Sequence, residues 1–118
     1  SPENLEDRLC HALAGTPARV VAAYLFGSHA RGEATGASDV DVAVLLCEPY
    51  LATLESGGFD LANALENAVG RPVDLVILNG APVDLVAGVL RDGRLLLDRD
   101  LSARIHFEVR SRNEYFDL

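Results

Sequence analysis

Hydrophobic positions open the chain at Leu5, Leu9, Ala12 and Leu13. This i, i+4, i+7, i+8 spacing predicts an amphipathic helix that Gly15–Pro17 closes. Val20 to Phe26 (VVAAYLF) is an unbroken apolar run, the pattern of a strand buried on both faces. Gly27-Ser28 ends it sharply, and a short turn or helix through Ala30 and Arg31 follows. Gly32 to Ser38 is a loop of small residues, and Asp39 to Cys47 (DVDVAVLLC) reads as a second strand rich in β-branched residues. Pro49 to Gly58 is placed as loop or irregular helix. Leu61, Leu65, Ala68 and Val69 mark another helix, with Gly70 as its stop. A third strand, Val73 to Leu78, follows Pro72. A helix from about Pro82 to Arg91 has Val86, Val89 and Leu90 on one face, with Gly93 beyond its end. Arg94 to Leu97 suits a short fourth strand. The tail from about Leu101 to Phe116 reads as helical, with Ile105, Val109 and Phe116 on a stripe. Alternating helices and strands predict an α/β or α+β fold.

The 118 residues suit a single domain spanning 1–118. With 49% hydrophobic residues, one core of ordinary size is affordable. Lys+Arg 10 against Asp+Glu 18 leaves a net charge of −8. That balance argues against gripping a nucleic-acid backbone, which needs basic residues to neutralise phosphates, and favours holding cations or meeting a basic partner. No apolar run approaches the ~20 residues of a membrane span, and the first twenty residues are too charged for a secretory signal. Cys10 and Cys47 make no disulfide framework and no zinc spacing. The expected compartment is the cytoplasm. With no Met and a Ser1 start, the initiator is expected to have been removed. Association with further copies of the chain is left open.

The chemistry concentrates in Gly27-Ser28 and, after ten intervening residues, Asp39-Val40-Asp41. Side chains at i and i+2 of a strand share a face, roughly 6.6 Å apart. Two carboxylates so placed repel, and a divalent cation relieves the repulsion. Magnesium takes oxygen ligands of this kind. Asp74 stands second in the next predicted strand. If the two strands are neighbours, all three acids converge on one edge of the sheet. Gly27-Ser28, between a buried strand and a helical turn, adds an anion site. Glycine lets backbone N–H groups approach a phosphate, and the Ser28 hydroxyl is a further donor. A metal beside a phosphate cradle suits phosphoryl or nucleotidyl transfer, with Asp74 to take the proton of the attacking hydroxyl.

The block GSHARGEATGASDVDVAVLL, from Gly27 to Leu46, resembles the signature of the DNA polymerase β-like nucleotidyltransferases. It most resembles their minimal nucleotidyltransferase (MNT) branch, antitoxins paired with HEPN-domain toxins. The resemblance runs from about Val20 to Leu97 and implies a short mixed sheet flanked by helices. It further implies two magnesium ions on Asp39, Asp41 and Asp74, and the phosphates of the nucleotide on Gly27 and Ser28. The implied reaction transfers AMP from ATP to a tyrosine hydroxyl of a HEPN ribonuclease, silencing it. The extra helical domain that larger members use for an acceptor is not expected here.

Taken singly, these residues have plainer readings. Asp39 and Asp41 would suit the solvent face of an edge strand, Asp74 a surface carboxylate, and Gly27-Ser28 a tight turn. Only their combination at these spacings points to a site. Arg31 suits a triphosphate contact as well as an exposed helix arginine. His11, His29 and His106 read as surface residues, and Cys10 and Cys47 as core fillers. Arg91, Arg99 and Arg104 read as a solvated face rather than a basic rim. Two rival functions stand beside protein adenylylation. One is a nucleotidyltransferase acting on a small molecule such as an antibiotic; the other is an antitoxin that masks its toxin by binding alone.

Overall fold

The Asn4 side chain accepts the Asp7 N–H at 2.8 Å and starts helix α1 (Leu5–Ala14). The computed structural model describes residues 4–36, 38–48 and 55–117, the side chains of 55–59 excepted. Strand β1 (Val20–Phe26) leads into a single 3₁₀ turn (Gly27–His29) and then β2 (Val40–Leu46). Helix α2 (Glu55–Val69) crosses to β3 (Val73–Ile77) and a second 3₁₀ turn (Leu78–Gly80). Helix α3 (Val83–Asp92), strand β4 (Arg94–Asp98) and helix α4 (Leu101–Phe116) complete the described chain.

The sheet order is β3-β2-β1-β4. β1 runs antiparallel to both β2 and β4, whereas β2 and β3 are parallel. A parallel neighbour needs a crossover, and α2 provides it. β1 is central and buried, as its apolar run requires. Its register shifts between Val20 and Ala22, so Val21 and Ala22 serve the same core. On one face Leu9 and Leu13 of α1 and Leu65 and Val69 of α2 pack on Val20, Ala23, Leu25, Val42 and Val44. On the other, Val86 and Val89 of α3 and Phe107 of α4 pack on Val21, Tyr24, Ala43 and Leu45. The result is a mixed α/β layer structure, as the alternating pattern predicts.

Several expectations need correction. Asp39 falls just before β2 rather than inside it. Of the stretch Pro49–Gly58, residues 49–54 lie outside the described chain, while Glu55 to Gly58 belong to α2. Cys10 packs against the core, but Cys47 is exposed and fills nothing. The stripe on α4 exists but turns outward: Leu101, Ile105, Val109 and Phe116 are exposed, and Phe107 is the residue the helix buries.

Arg104 is largely covered rather than solvated, and Arg99, though exposed, is tied down by hydrogen bonds. The Arg99 guanidinium donates to the carbonyls of Leu13, Ala14, Thr16, Pro17 and Val20 at 2.7–3.2 Å. It satisfies the loose carbonyls at the end of α1 and places a cation at the negative end of that helix. Arg104 donates to Asp98 and Glu108, both at 2.9 Å, while the Tyr24 hydroxyl donates to the same Glu108 oxygen at 2.7 Å. This network ties α4 to β1 and β4. The buried Tyr24 hydroxyl resists ionisation well beyond the ordinary phenol range, first through burial and then through its bond to Glu108.

Candidate active site

In the sheet register Asp41 lies opposite Phe26 on one side and Asp74 on the other. Neighbouring strands are about 4.8 Å apart, so Asp74, Asp41 and the Phe26–Gly27 junction form one row across three strands. Asp41 alternates with Val40 and Val42, which belong to the α1–α2 core, and shares a face with Ala43 and Leu45 of the α3–α4 core. The row therefore opens on the α3–α4 face, where β2 and β3 begin and β1 ends. The juxtaposition of Asp74 with the Asp39–Asp41 pair, conditional in the sequence, is realised by the parallel pairing.

Gly27 is fixed by two constraints. Its φ is +74°, a left-handed conformation that side chains oppose, and a Cβ there would collide with the Asp41 carboxylate. The missing side chain lets the carboxylate lie against the backbone of the turn, so a phosphate on the turn and a cation on Asp41 would be neighbours. N–H groups at the start of a helical turn lack partners within it. Gly27→Ala is expected to cost about 1–2 kcal/mol of stability and to displace Asp41. The two effects are separable by chemical denaturation and by magnesium titration of the folded variant.

Asp41 is half-buried, while Asp39 and Asp74 are exposed. Burial, then the charges of Asp74 and Asp39, push the Asp41 carboxyl above its usual range, and His29 and Arg31 act against them. A carboxyl raised in the folded state binds protons more tightly there than in the unfolded chain. Its contribution to metal-free stability is therefore full below the ordinary Asp range and is lost as pH rises through the raised value. Asp41→Asn, which keeps the shape, is expected to raise the metal-free melting temperature at neutral pH by roughly 2 °C. The difference should vanish in acid, and magnesium should raise the melting temperature of the wild type but not of the variant. Differential scanning calorimetry with and without magnesium checks both.

Among the described residues no group of three or more His, Cys, Asp or Glu side chains is placed to hold a metal ion. The donor set that Asp39, Asp41 and Asp74 offer is of the type magnesium takes. It consists of hard carboxylate oxygens with one member under electrostatic pressure, and magnesium keeps several waters rather than demanding an all-protein cage.

Of the neighbouring groups, the His29 ring lies 3.4 Å from the Ser38 carbonyl and 3.5 Å from Arg71. It is therefore half-buried beside the site rather than a free surface residue. Arg31 is exposed and pairs with Glu33 at 2.9 Å. It also lines a cleft of about 210 Å³ between the glycine turn and α3. That cleft went unread in the sequence, where Gly88 in the middle of a helical pattern was its one trace.

The chain matches the polymerase beta, nucleotidyltransferase family over residues 10–102. It is 38% identical over 74 residues to the protein adenylyltransferase MntA of Shewanella oneidensis, a match covering 62% of this chain and 50% of that protein. The chain thus spans about half the length of that curated relative. Among solved structures it resembles a toxin–antitoxin crystallised with AMP-PNP (TM-score 0.79, 28% identity, 95% of this chain and 87% of the other). It also resembles a complex of tri-AMPylated Shewanella oneidensis HEPN toxin with its MNT antitoxin (TM-score 0.73, 26% identity, 96% and 85% covered). The family match covers most of the chain, and the chain belongs to the polymerase beta nucleotidyltransferase family.

Proposed function

We propose that this protein transfers AMP from ATP to a tyrosine hydroxyl of a HEPN-domain toxin, acting in the cytoplasm as the antitoxin of the pair. The observation that carries the reading is the row Asp74–Asp41–Gly27 across three adjacent strands. It sets three requirements of nucleotidyl transfer side by side: a proton acceptor, a cation-holding carboxylate and a phosphate-binding turn. The AMPylated toxin in complex with a structural relative supplies the acceptor class.

Asp39, Asp41 and Asp74 would hold magnesium, which lowers the pKa of the attacking hydroxyl and neutralises charge on the departing pyrophosphate. Gly27 and Ser28 bind the phosphates through backbone N–H groups and the serine hydroxyl. The tyrosine oxygen forms a bond to the α-phosphorus and its proton passes to the Asp74 carboxylate. The bond to the bridging α–β oxygen breaks, and pyrophosphate leaves with that electron pair. Asp74 is exposed on an edge strand, so a flexible protein segment can bring its hydroxyl to it. The exposed apolar row Leu101, Ile105 and Val109 on α4 is surface of the kind that a protein partner covers.

Incubation with ATP, magnesium and the cognate toxin should add whole AMP units to a toxin tyrosine, read by intact-mass spectrometry. Neutralisation of the toxin without a mass change would establish masking instead. Label appearing only on an added aminoglycoside would establish a small-molecule acceptor.

A further inference from the structure

Asp74, the proton acceptor of the proposed reaction, stands second in β3, an edge strand held on one side only. A general base must nevertheless stay within hydrogen-bond reach of the proton it takes. The three residues before Asp74 supply the hold, and each is fastened to a different element. The Val73 N–H donates to the Glu66 carboxylate of α2 at 3.0 Å. The Pro72 carbonyl accepts from the Val40 N–H at the start of β2 at 3.2 Å. Arg71 Nη1 lies 3.5 Å from Nε2 of His29, in the turn that follows β1.

The first two links satisfy backbone groups that any strand start must satisfy. The third has no such purpose. Arg71 reaches past β2, the strand between, to the glycine turn. Among the described residues its guanidinium meets an imidazole rather than a carboxylate, although both side chains are half-buried.

The same His29 nitrogen also lies 3.4 Å from the Ser38 carbonyl. One ring nitrogen thus faces a donor on Arg71 and an acceptor on Ser38, and it can serve only one of them at a time. At these lengths either bond is weak, so the cluster adds little to folding stability. Its value is in what it joins. Ser38 directly precedes Asp39, and its hydroxyl accepts the Thr35 N–H at 2.9 Å, closing the loop that leads there. The imidazole is therefore the point where the glycine turn, the Asp39 loop and the start of β3 meet.

We propose that His29 and Arg71 are positioning residues: they hold the glycine turn in fixed relation to Asp39 and Asp74, so that a nucleotide seated on the turn finds the proton acceptor already placed. The inference rests on the nucleotidyltransferase reading and adds to it the residues that align its parts.

The test compares wild type, Arg71→Ala, His29→Ala, the double variant and His29→Gln. It measures AMP transfer to a HEPN toxin with ATP and magnesium, ATP affinity by calorimetry, and stability in urea. Each alanine variant should lower kcat about ten- to a hundredfold, the scale of a misplacement of roughly 1 Å. KM for ATP, calorimetric affinity and stability should change little. The double variant should be no slower than the worse single one, because both break the same link. His29→Gln should restore most of the rate, since a side-chain amide offers a donor to Ser38 and an acceptor to Arg71 at once. Without toxin, His29→Ala should shift the amide resonance of Asp74, two strands away, in the nitrogen–proton NMR spectrum. Wild-type kcat in both folded alanine variants, or rate losses that only follow lost stability, would overturn the positioning role. A loss confined to ATP affinity would overturn it too, making the two residues nucleotide ligands. A wild type that neither binds ATP nor transfers AMP would overturn the nucleotidyltransferase reading, and this inference with it.

Discussion

On the proposed function, Asp74→Asn is expected to slow AMP transfer to a HEPN toxin by about 10²–10⁴-fold, the usual range for losing a general base, while the protein stays folded and still binds that toxin. Asp74 is exposed on β3, while its neighbour Val73 is buried in the α1–α2 core, so the amide removes a charge and a proton acceptor without touching packing. Removing one member of a repelling set should leave metal-free stability unchanged or slightly higher. The measurement is a time course of label transfer from radiolabelled ATP, with circular dichroism and co-purification of the toxin as controls. A variant that transfers label at the wild-type rate would show that the hydroxyl loses its proton elsewhere. A variant that neutralises the toxin as well as wild type without transferring label would separate binding from catalysis and favour masking.

The largest effect on stability should come from a residue remote from the chemistry. Glu108→Ala is expected to cost about 3 kcal/mol, equivalent to a fall of about 10 °C in melting temperature. One Glu108 oxygen accepts from both Tyr24 and Arg104, and the Arg104 and Glu108 side chains are only 16% and 14% exposed. Truncation leaves the phenol of buried Tyr24 without its acceptor and Arg104 with Asp98 alone. An unsatisfied buried donor costs far more than a bond removed from both sides. Tyr24→Phe, which removes the donor instead, should cost only about 1 kcal/mol. Combined with Glu108→Ala, it should add less than its single effect. Urea denaturation of the three variants measures the coupling. A Glu108→Ala protein as stable as wild type would mean that Phe107 holds α4 to the sheet by itself.

The two predictions also mark what the sequence could and could not convey. The boundaries of β1, α3 and β4 follow from local signals: an apolar run ended by Gly27, a helical period ended by Gly93, and the short leucine run that follows Arg94. The carboxylate site was legible because Asp39 and Asp41 are two residues apart and Asp74 holds a matching place in its own strand. Only the relative placement of those strands was missing, since it depends on the α2 crossover. Arg99 and Arg104 were illegible for a different reason. Their partners at Leu13 to Val20, Asp98 and Glu108 come together only in the folded chain, and an arginine surrounded by polar neighbours reads as solvated. The α4 stripe misled in the opposite sense: a helical apolar period shows that a face exists, whereas tertiary packing on the sheet turned Phe107 inward and left that face outside.

The parallel pairing of β2 with β3 also has a kinetic meaning. β1 and β2 are consecutive antiparallel strands, but Asp74 reaches Asp41 only after the chain has closed the longer loop through α2, and loop closure must precede the contacts that reward it. β3 is moreover an edge strand with a single hydrogen-bonded neighbour, the kind of element that opens first in a native sheet. Like charges thus meet at an edge seam of the sheet that closes only after the α2 crossover, away from the central β1 core. Divalent ions should therefore act chiefly on the lifetime of that seam: they should protect the backbone amides of β3 from hydrogen exchange and leave those of β1 to report global unfolding.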